Sequence, residues 1–231
     1  MMIFQFVSAI ILGYLLGSIP FGLLLTRQYT KTKVDITKYG SGKTGATNVL
    51  RTAGRKTAIM VVLLDLSKGM LAVIFAGLIV GQGYLVVNGI GLGALVAQVL
   101  AALAAIAGHN WSVFLKFRGG RGVATFFGGL IALCPPAAIF GGEIVIIGAG
   151  LTRYVSLGSI AGAVGSYAVL VPLTIMNNFP IEYLFYTLAG TIIIFVMHRG
   201  NIRRLISGKE RKLGEKVERR ASSSGRTGGA G

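Results

Sequence analysis

Three stretches of the chain bring glycine, hydroxyl and basic side chains together in patterns suited to holding phosphate. The first runs Gly40-Ser41-Gly42-Lys43-Thr44-Gly45-Ala46-Thr47-Asn48-Val49-Leu50-Arg51. Glycines let backbone N–H groups converge on an anion, Ser41, Thr44 and Thr47 add hydroxyl donors, and Lys43 and Arg51 add charge. The stretch is formally a G-x-G-x-x-G and ends like a P-loop. Thr37 stands where a Walker A sequence needs glycine, however, and no strand precedes the loop to aim it. The nucleotide-fold context is missing while the anion chemistry survives. The plainer alternative, a solvated basic loop that only sets topology, requires neither Gly-Ser-Gly nor Asn48.

The second stretch runs from Gly108 to Thr125. Gly119, Gly120 and Gly122 interleave with Arg118 and Arg121, after Lys116, and form a second anion cradle at the start of an apolar run. Trp111, Phe114 and Phe117 suit the membrane interface, so amphipathic anchoring is the competing explanation. The third stretch is His198-Arg199-Gly200-Asn201-Ile202-Arg203-Arg204-Leu205. On a helix His198 and Asn201 are three apart and share a face. By itself this pattern is weak, because basic residues after a last span commonly just tether it to anionic headgroups.

Missing residue types bound the chemistry. Cys134 is the single cysteine and His109 and His198 are the only histidines, so no disulfide and no structural zinc spacing is available. No metal or cofactor is expected. Neither histidine has an acidic residue four positions on, so no His-carboxylate pair for deprotonating a hydroxyl is visible along the chain.

The elements that must position these groups are membrane helices. Of the 231 residues 53% are apolar and 13% charged, with a net charge of +16 and a mean hydropathy of +0.73. Soluble domains carry roughly 25% charged residues. A basic nucleic-acid-binding protein would not combine that charge with apolar runs near the ~20 residues that cross a bilayer, so no nucleic-acid partner is expected. Apolar runs at 3–25, 58–80, 85–107, 123–134, 137–151, 160–176 and 181–197 predict an all-α integral membrane protein of about seven transmembrane helices. The fourth and fifth spans are short, parted by Pro135-Pro136. Residues 1–25 read as a retained span, since no basic residue precedes them and no cleavage site is clear.

Every Lys and Arg except Lys68 falls in 26–57, 109–122, at Arg153 or in 199–231, which all lie on one side of such a bundle. The positive-inside rule makes that side cytoplasmic, with the N-terminus out and the C-terminus in. Asp65 and Lys68, at i and i+3 within a span, are expected to pair. Glu143 has no evident partner in the fifth span. Small residues at 89–94 and 161–166 predict close helix packing. Residues 1–213 read as a single membrane-embedded domain, and 214–231 as a basic, then Ser/Gly-rich, disordered tail.

In this order and on these flanks, the three stretches resemble the bacterial acyl-phosphate:glycerol-3-phosphate acyltransferase family. The likeness begins at Gly17-Ser18-Ile19-Pro20-Phe21-Gly22 and takes in Gly40–Arg51, Asp65-Leu66-Ser67-Lys68-Gly69 and Gly108–Thr125. It continues through Arg153-Tyr154-Val155-Ser156-Leu157 and closes at His198–Arg204 with Glu210, covering about residues 1–213. It implies seven spans in the bacterial inner membrane, an active site on the cytoplasmic side, and no cofactor. The reaction it implies is transfer of a fatty acyl group from acyl phosphate to glycerol 3-phosphate, giving lysophosphatidic acid and phosphate in phospholipid synthesis. Membrane lipids surround the chain on this reading.

By position, the resemblance places catalytic roles on Ser41, Asn48, Arg51, His198 and Asn201. It places phosphate binding on Gly40, Gly42, Lys43, Thr47, Lys116, Arg118, Gly119, Gly120, Arg121, Gly122 and Ser156. The family commonly has Asn at Lys43, Pro at Ser112, Lys at Arg118 and Arg121, and Glu at Gly200. An organophosphate transporter is the alternative, but it predicts inverted repeats and a path of ionisable residues. The sequence offers no repeat and only Asp65, Lys68 and Glu143 within spans.

Overall fold

Pro20 has no N–H to donate, and the first apolar stretch breaks there into α1 (Met2–Ser18) and α2 (Phe21–Tyr29). Groups from other elements reach the carbonyls at the break: Ser112 Oγ donates to Ser18 O at 2.6 Å, and Lys68 Nζ donates to Ile19 O at 3.2 Å, beside the local Phe21 N–H at 3.1 Å. The computed structural model describes residues 1–30, 34–87 and 90–215, so the expected disordered tail lies, beyond residue 215, outside the described residues.

The helix α3 (Ala46–Val80) is interrupted at Gly54, whose φ of +85° is open to glycine and strained for other residues. Residues 46–53 ahead of it carry Thr47, Asn48 and Arg51. After α3 the chain forms a short antiparallel hairpin, β1 (Leu85–Val87) and β2 (Ile90–Leu92), in which Leu85 faces Leu92. This corrects the expectation of a purely helical chain and of a span starting at 85. The third span is α4 (Ala94–Asn110). Gly91 and Gly93 therefore lie beside the Tyr84 ring and not in a helix seam.

A 3-10 turn at Val113–Leu115 and the glycine-rich loop lead into α5 (Val123–Leu133). At 1.5 Å per residue its 11 residues reach ~17 Å, well short of a ~30 Å hydrocarbon core. Then follow α6 (Pro135–Thr152), α7 (Val155–Asn177), α8 (Ile181–Met197) and α9 (Arg199–Ile206). Pro135 and Pro136 start α6, where missing N–H groups cost nothing, and α6 is longer than the apolar run 137–151 suggested. Among the described residues five segments are long and apolar enough to cross a membrane, α1 with α2 counting as one, and the pair α8–α9, bent by 61° at His198, makes a sixth if it counts as one span.

Small residues set how closely these helices approach. A Cβ on Gly13 or Gly17 would run into the Ala101 or Ala105 backbone, locking α1 to α4, and Gly69 and Gly128 do the same for α3 and α5. The predicted seam at 161–166 is present, with Gly162 against the Gly141 carbonyl of α6. The largest core cluster among the described residues is built by α3 to α8, and in it Tyr186 stacks on Phe126 at 5.5 Å and donates to its carbonyl at 2.8 Å. That hydrogen bond satisfies a hydroxyl that would otherwise be orphaned.

Candidate active site

The three basic stretches converge at one end of the bundle, around a cavity of about 390 Å³. Ser41, Lys43, Thr47, Asn48, Arg51, Arg121, Gly122, Ser156, His198 and Asn201 all line it. Its other wall is apolar, from Val62 and Leu66 of α3, Phe127 and Ile131 of α5, and Ala138, Gly142, Val145 and Ile146 of α6. A second cavity of about 540 Å³ adjoins it, sharing Ser41, Lys43, Arg121 and Asn201 and adding Gly40, Trp111, Arg199 and Gly200.

The first loop is shaped from below. Asn48 is buried, and its amide nitrogen donates to Lys43 O at 3.0 Å, Tyr39 O at 3.1 Å and Ile36 O at 3.3 Å. Asn48 thus clasps the loop that carries Ser41 and Lys43. Gly40 and Gly42 turn the chain with φ of +53° and +68°, and the Lys43 N–H donates to Ser41 Oγ at 3.4 Å. Gly22 of α2 lies directly under Thr44, where a Cβ would strike the Thr44 carbonyl.

The second loop rests on His109. The Gly120 N–H donates to His109 O at 3.0 Å, and a methyl group on Gly119 or Gly120 would overlap the His109 carbonyl or ring. Gly119 and Gly120 are buried behind the loop and line neither cavity, and neither does Gly42; Lys116 and Arg118 are exposed on the rim and also line neither. Of the basic residues in this stretch, Arg121 alone lines the cavities. Burial pushes its guanidinium down to about 10, with Glu210 opposing that shift and Arg204 and Arg51 adding to it. The Lys43 ammonium is likewise depressed, first by burial and then by Arg121 and Arg199. These cations are crowded by one another, and an anion among them relieves both repulsion and desolvation.

His198 sits at the α8–α9 bend, 2% exposed, with Asn201 one turn on and also buried. Its Nδ1 is 2.8 Å from Ile194 O. A carbonyl can only accept, so Nδ1 carries the proton and Nε2 is left as an acceptor. Asn201, Ser156 and Arg204 all donate to the carboxylate of Glu210, Ser156 Oγ and Asn201 Nδ2 to Oε1 at 2.9 and 2.5 Å, and Arg204 Nε to Oε2 at 2.7 Å. Burial raises the Glu210 carboxyl, but these hydrogen bonds and the Arg204 charge outweigh it and hold it below the usual carboxylate range. The backbone after Glu210 crosses the site as a strap. Arg51 Nη2 donates to Arg211 O and Lys212 O at 3.3 and 3.1 Å, and Arg153 exchanges hydrogen bonds with Leu213.

Deeper in, Asp65 and Lys68 pair at 2.8 Å as their spacing predicts, both 3% exposed. The fold adds what no local spacing could show: Lys68 Nζ lies 2.8 Å from His109 Nδ1, and Asp65 Oδ1 lies 3.5 Å from the same atom. His109 therefore does face a carboxylate, from another span. Asp65 and His109 both reach the lining of the first cavity. Among the described residues no cluster of three His, Cys, Asp or Glu could hold a metal ion.

Comparison with known proteins matches residues 7–208 to the family model described as glycerol-3-phosphate acyltransferase. A relative named glycerol-3-phosphate acyltransferase 3, from Dehalococcoides mccartyi, is 61% identical over 216 residues, covering 94% of this chain and 99% of its own. A Thermus thermophilus glycerol-3-phosphate acyltransferase is 41% identical, covering 93% of this chain and 98% of its own. The fold is similar to the crystal structure of PlsY (YgiH), an integral membrane glycerol 3-phosphate acyltransferase. The glycerol 3-phosphate form gives a TM-score of 0.76 at 32% identity over 90% of this chain and 96% of that one. The lysophosphatidic acid form gives 0.74, over 90% and 95%.

Proposed function

The chain belongs to the glycerol-3-phosphate acyltransferase family, and from that premise we propose that it transfers a fatty acyl group from acyl phosphate to glycerol 3-phosphate, releasing phosphate. The observation that carries the reading is the first cavity, one end of it lined by Ser41, Lys43, Arg51, Arg121 and Ser156 and the rest mostly by apolar side chains of α3, α5 and α6. An acyl phosphate has the same two parts. Its chain fits against Leu66, Phe127, Ile131, Gly142 and Ile146, while its phosphate meets the loops at Ser41, Lys43 and Arg121.

Acyl phosphate is a mixed anhydride and already activated, so no acyl-enzyme is needed. The protein brings two anionic substrates together and stabilises the charge that develops. The glycerol oxygen forms a bond to the acyl carbon, the carbon–oxygen bond to phosphate breaks, and the hydroxyl proton passes to a substrate phosphate. His198 Nε2, an acceptor, orients the attacking hydroxyl, and Arg51, Ser156 and Asn201 hold the phosphate of glycerol 3-phosphate. Ionisable residues along a transport path are not needed for this chemistry.

The reading also sets the topology. Seven crossings, with α5 completing its passage under the cover of α3, α4 and α8, put residues 26–57, 109–122 and 199–213 on the cytoplasmic side of the bacterial inner membrane, with the N-terminus outside. Residues 1–213 form the working domain. The test is purified protein given palmitoyl phosphate and labelled glycerol 3-phosphate, without coenzyme A, acyl carrier protein or metal. Labelled lysophosphatidic acid with equal release of phosphate is expected, and its absence from folded protein overturns the donor assignment. His198→Ala lowers the rate at least about 100-fold, the lower end of what a positioned proton-handling or orienting group contributes. Full retention removes His198 from the reaction.

A further inference from the structure

The charged cluster under the two loops is costly where it sits. An Asp and a Lys at a helix centre are expensive to place in a bilayer, and a well-packed apolar pair in the same place would serve stability as well or better. The mechanism above does not use them. What they do is visible in how Lys68 distributes its hydrogens.

An ammonium has three hydrogens and can only donate. Lys68 Nζ has three partners at hydrogen-bond distance: Asp65 Oδ1 at 2.8 Å, His109 Nδ1 at 2.8 Å and Ile19 O at 3.2 Å. Because Nδ1 must accept, the His109 proton is on Nε2, and the ring is fixed in one tautomer and one orientation. That ring and the His109 carbonyl are the surface on which Gly119 and Gly120 rest. The third partner, Ile19 O, is the carbonyl at the Pro20 break, directly ahead of α2, whose Gly22 supports Thr44 of the first loop. One ammonium therefore stands at the joint from which both anion loops hang, and Asp65 holds it there.

We infer that Asp65, Lys68 and His109 are positioning residues that set the distance between the Ser41–Lys43 loop and the Gly119–Gly122 loop, and so between the two phosphates they bind. The inference rests on the acyl-transfer reading for what the loops hold. It goes beyond that reading in making the rate depend on a cluster to which the proposed reaction gives no bond-making or bond-breaking step.

The decisive variant is the charge-neutral double substitution Asp65→Asn with Lys68→Met, which keeps volume and leaves no unpaired charge. Its melting temperature in detergent, kcat, and KM for each substrate are measured beside the wild type, together with the rise in melting temperature caused by glycerol 3-phosphate alone. The expected result is a wild-type melting temperature with kcat lower by about 100-fold, the scale for displacing reacting groups by an ångström. The stabilisation by glycerol 3-phosphate shrinks in parallel.

A double variant that recovers both melting temperature and kcat shows that the pair is only charge compensation and overturns the inference. Should the double variant fail to fold, His109 decides. His109→Gln keeps an acceptor for Lys68 and retains at least about tenfold more activity than His109→Leu at matched stability, the discrimination expected when a buried donor loses its partner. Equal activity of the two overturns the inference. The binding readout does not depend on the donor, so a wild type that binds glycerol 3-phosphate but does not use acyl phosphate faults the proposed reaction and leaves the positioning claim to be judged on binding.

Discussion

Two carboxylate-centred clusters lie in this molecule, one deep and one at the mouth of the cavity. Asp65 is held by Lys68 and faces His109, all on spans and all at most 7% exposed. Glu210 is held by Ser156, Asn201 and Arg204, on a strap that follows the last helix, and its cationic partner Arg204 is 43% exposed at the side chain. In the deep cluster the ammonium is enclosed by three protein groups, hydrogen-bonded to Ile19 O and His109 Nδ1 and ion-paired with Asp65. In the mouth cluster two of the donors that hold Glu210, Ser156 and Asn201, are those to which the acyl-transfer proposal gives a substrate phosphate, so on that proposal protein carboxylate and substrate compete for the same groups. The contrast separates groups that fix geometry from groups that must let go.

The comparison breaks first on stability. Lys68→Ala leaves the Asp65 carboxylate buried without its counter-ion and is expected to cost about 3–5 kcal/mol. Denaturation in detergent measures it, and a loss under 1 kcal/mol would place water or another cation beside Asp65. Next comes Arg121→Ala, which on the acyl-transfer proposal removes a charge-assisted contact to phosphate worth roughly 1.5–3 kcal/mol. KM for a phosphate substrate then rises by about 10- to 150-fold, and an unchanged KM for both substrates takes Arg121 out of the site.

The smallest effect is on the strap. Because the Glu210 carboxyl is depressed in the folded protein, its contribution is complete above the ordinary value near ~4.3 and is lost as pH falls through the lower folded value. Protease cleavage within 207–213 should therefore stay slow from neutral pH down to about 5 and speed up only below ~4. Glu210→Gln moves the strap toward that acid behaviour at neutral pH, with a change of a few-fold. Equal cleavage of Glu210→Gln and wild type at neutral pH would mean that the Arg51 and Arg153 contacts alone hold the strap.

Most of what positions the site was legible along the chain because hydropathy, charge asymmetry and glycine spacing are local signals. The three basic stretches, the Asp65–Lys68 pair and the short α5 all follow from them. The hairpin at 85–92 was not, because Leu85-Val86-Val87 reads as apolar helix or strand alike, and short runs of this kind carry no distinguishing period. Nor was the apposition of Asp65 and His109, since a search at helical spacing sees only neighbours on one helix. Glu210 offered a signal that composition could expose: it is an acidic residue flanked by Lys209, Arg211 and Lys212, with Arg203 and Arg204 shortly before. Lys116 and Arg118 show the converse. Their spacing matches the loop, yet Lys116 and Phe117 take left-handed backbone at φ +51° and +58°, and the side chains of both basic residues end in solvent.

The cavity is apolar toward α6 and cationic toward the second cavity, and the strap covers its polar end. On the acyl-transfer reading the two products therefore part by solubility: the lysophosphatidic acid slides sideways between helices into the leaflet while inorganic phosphate drains to the aqueous phase past Lys43 and Arg199. Neither has to cross the other's route, and the acylated product is diluted in two dimensions as soon as it forms. On that reading partitioning between water and lipid, and not a second binding site, separates the products.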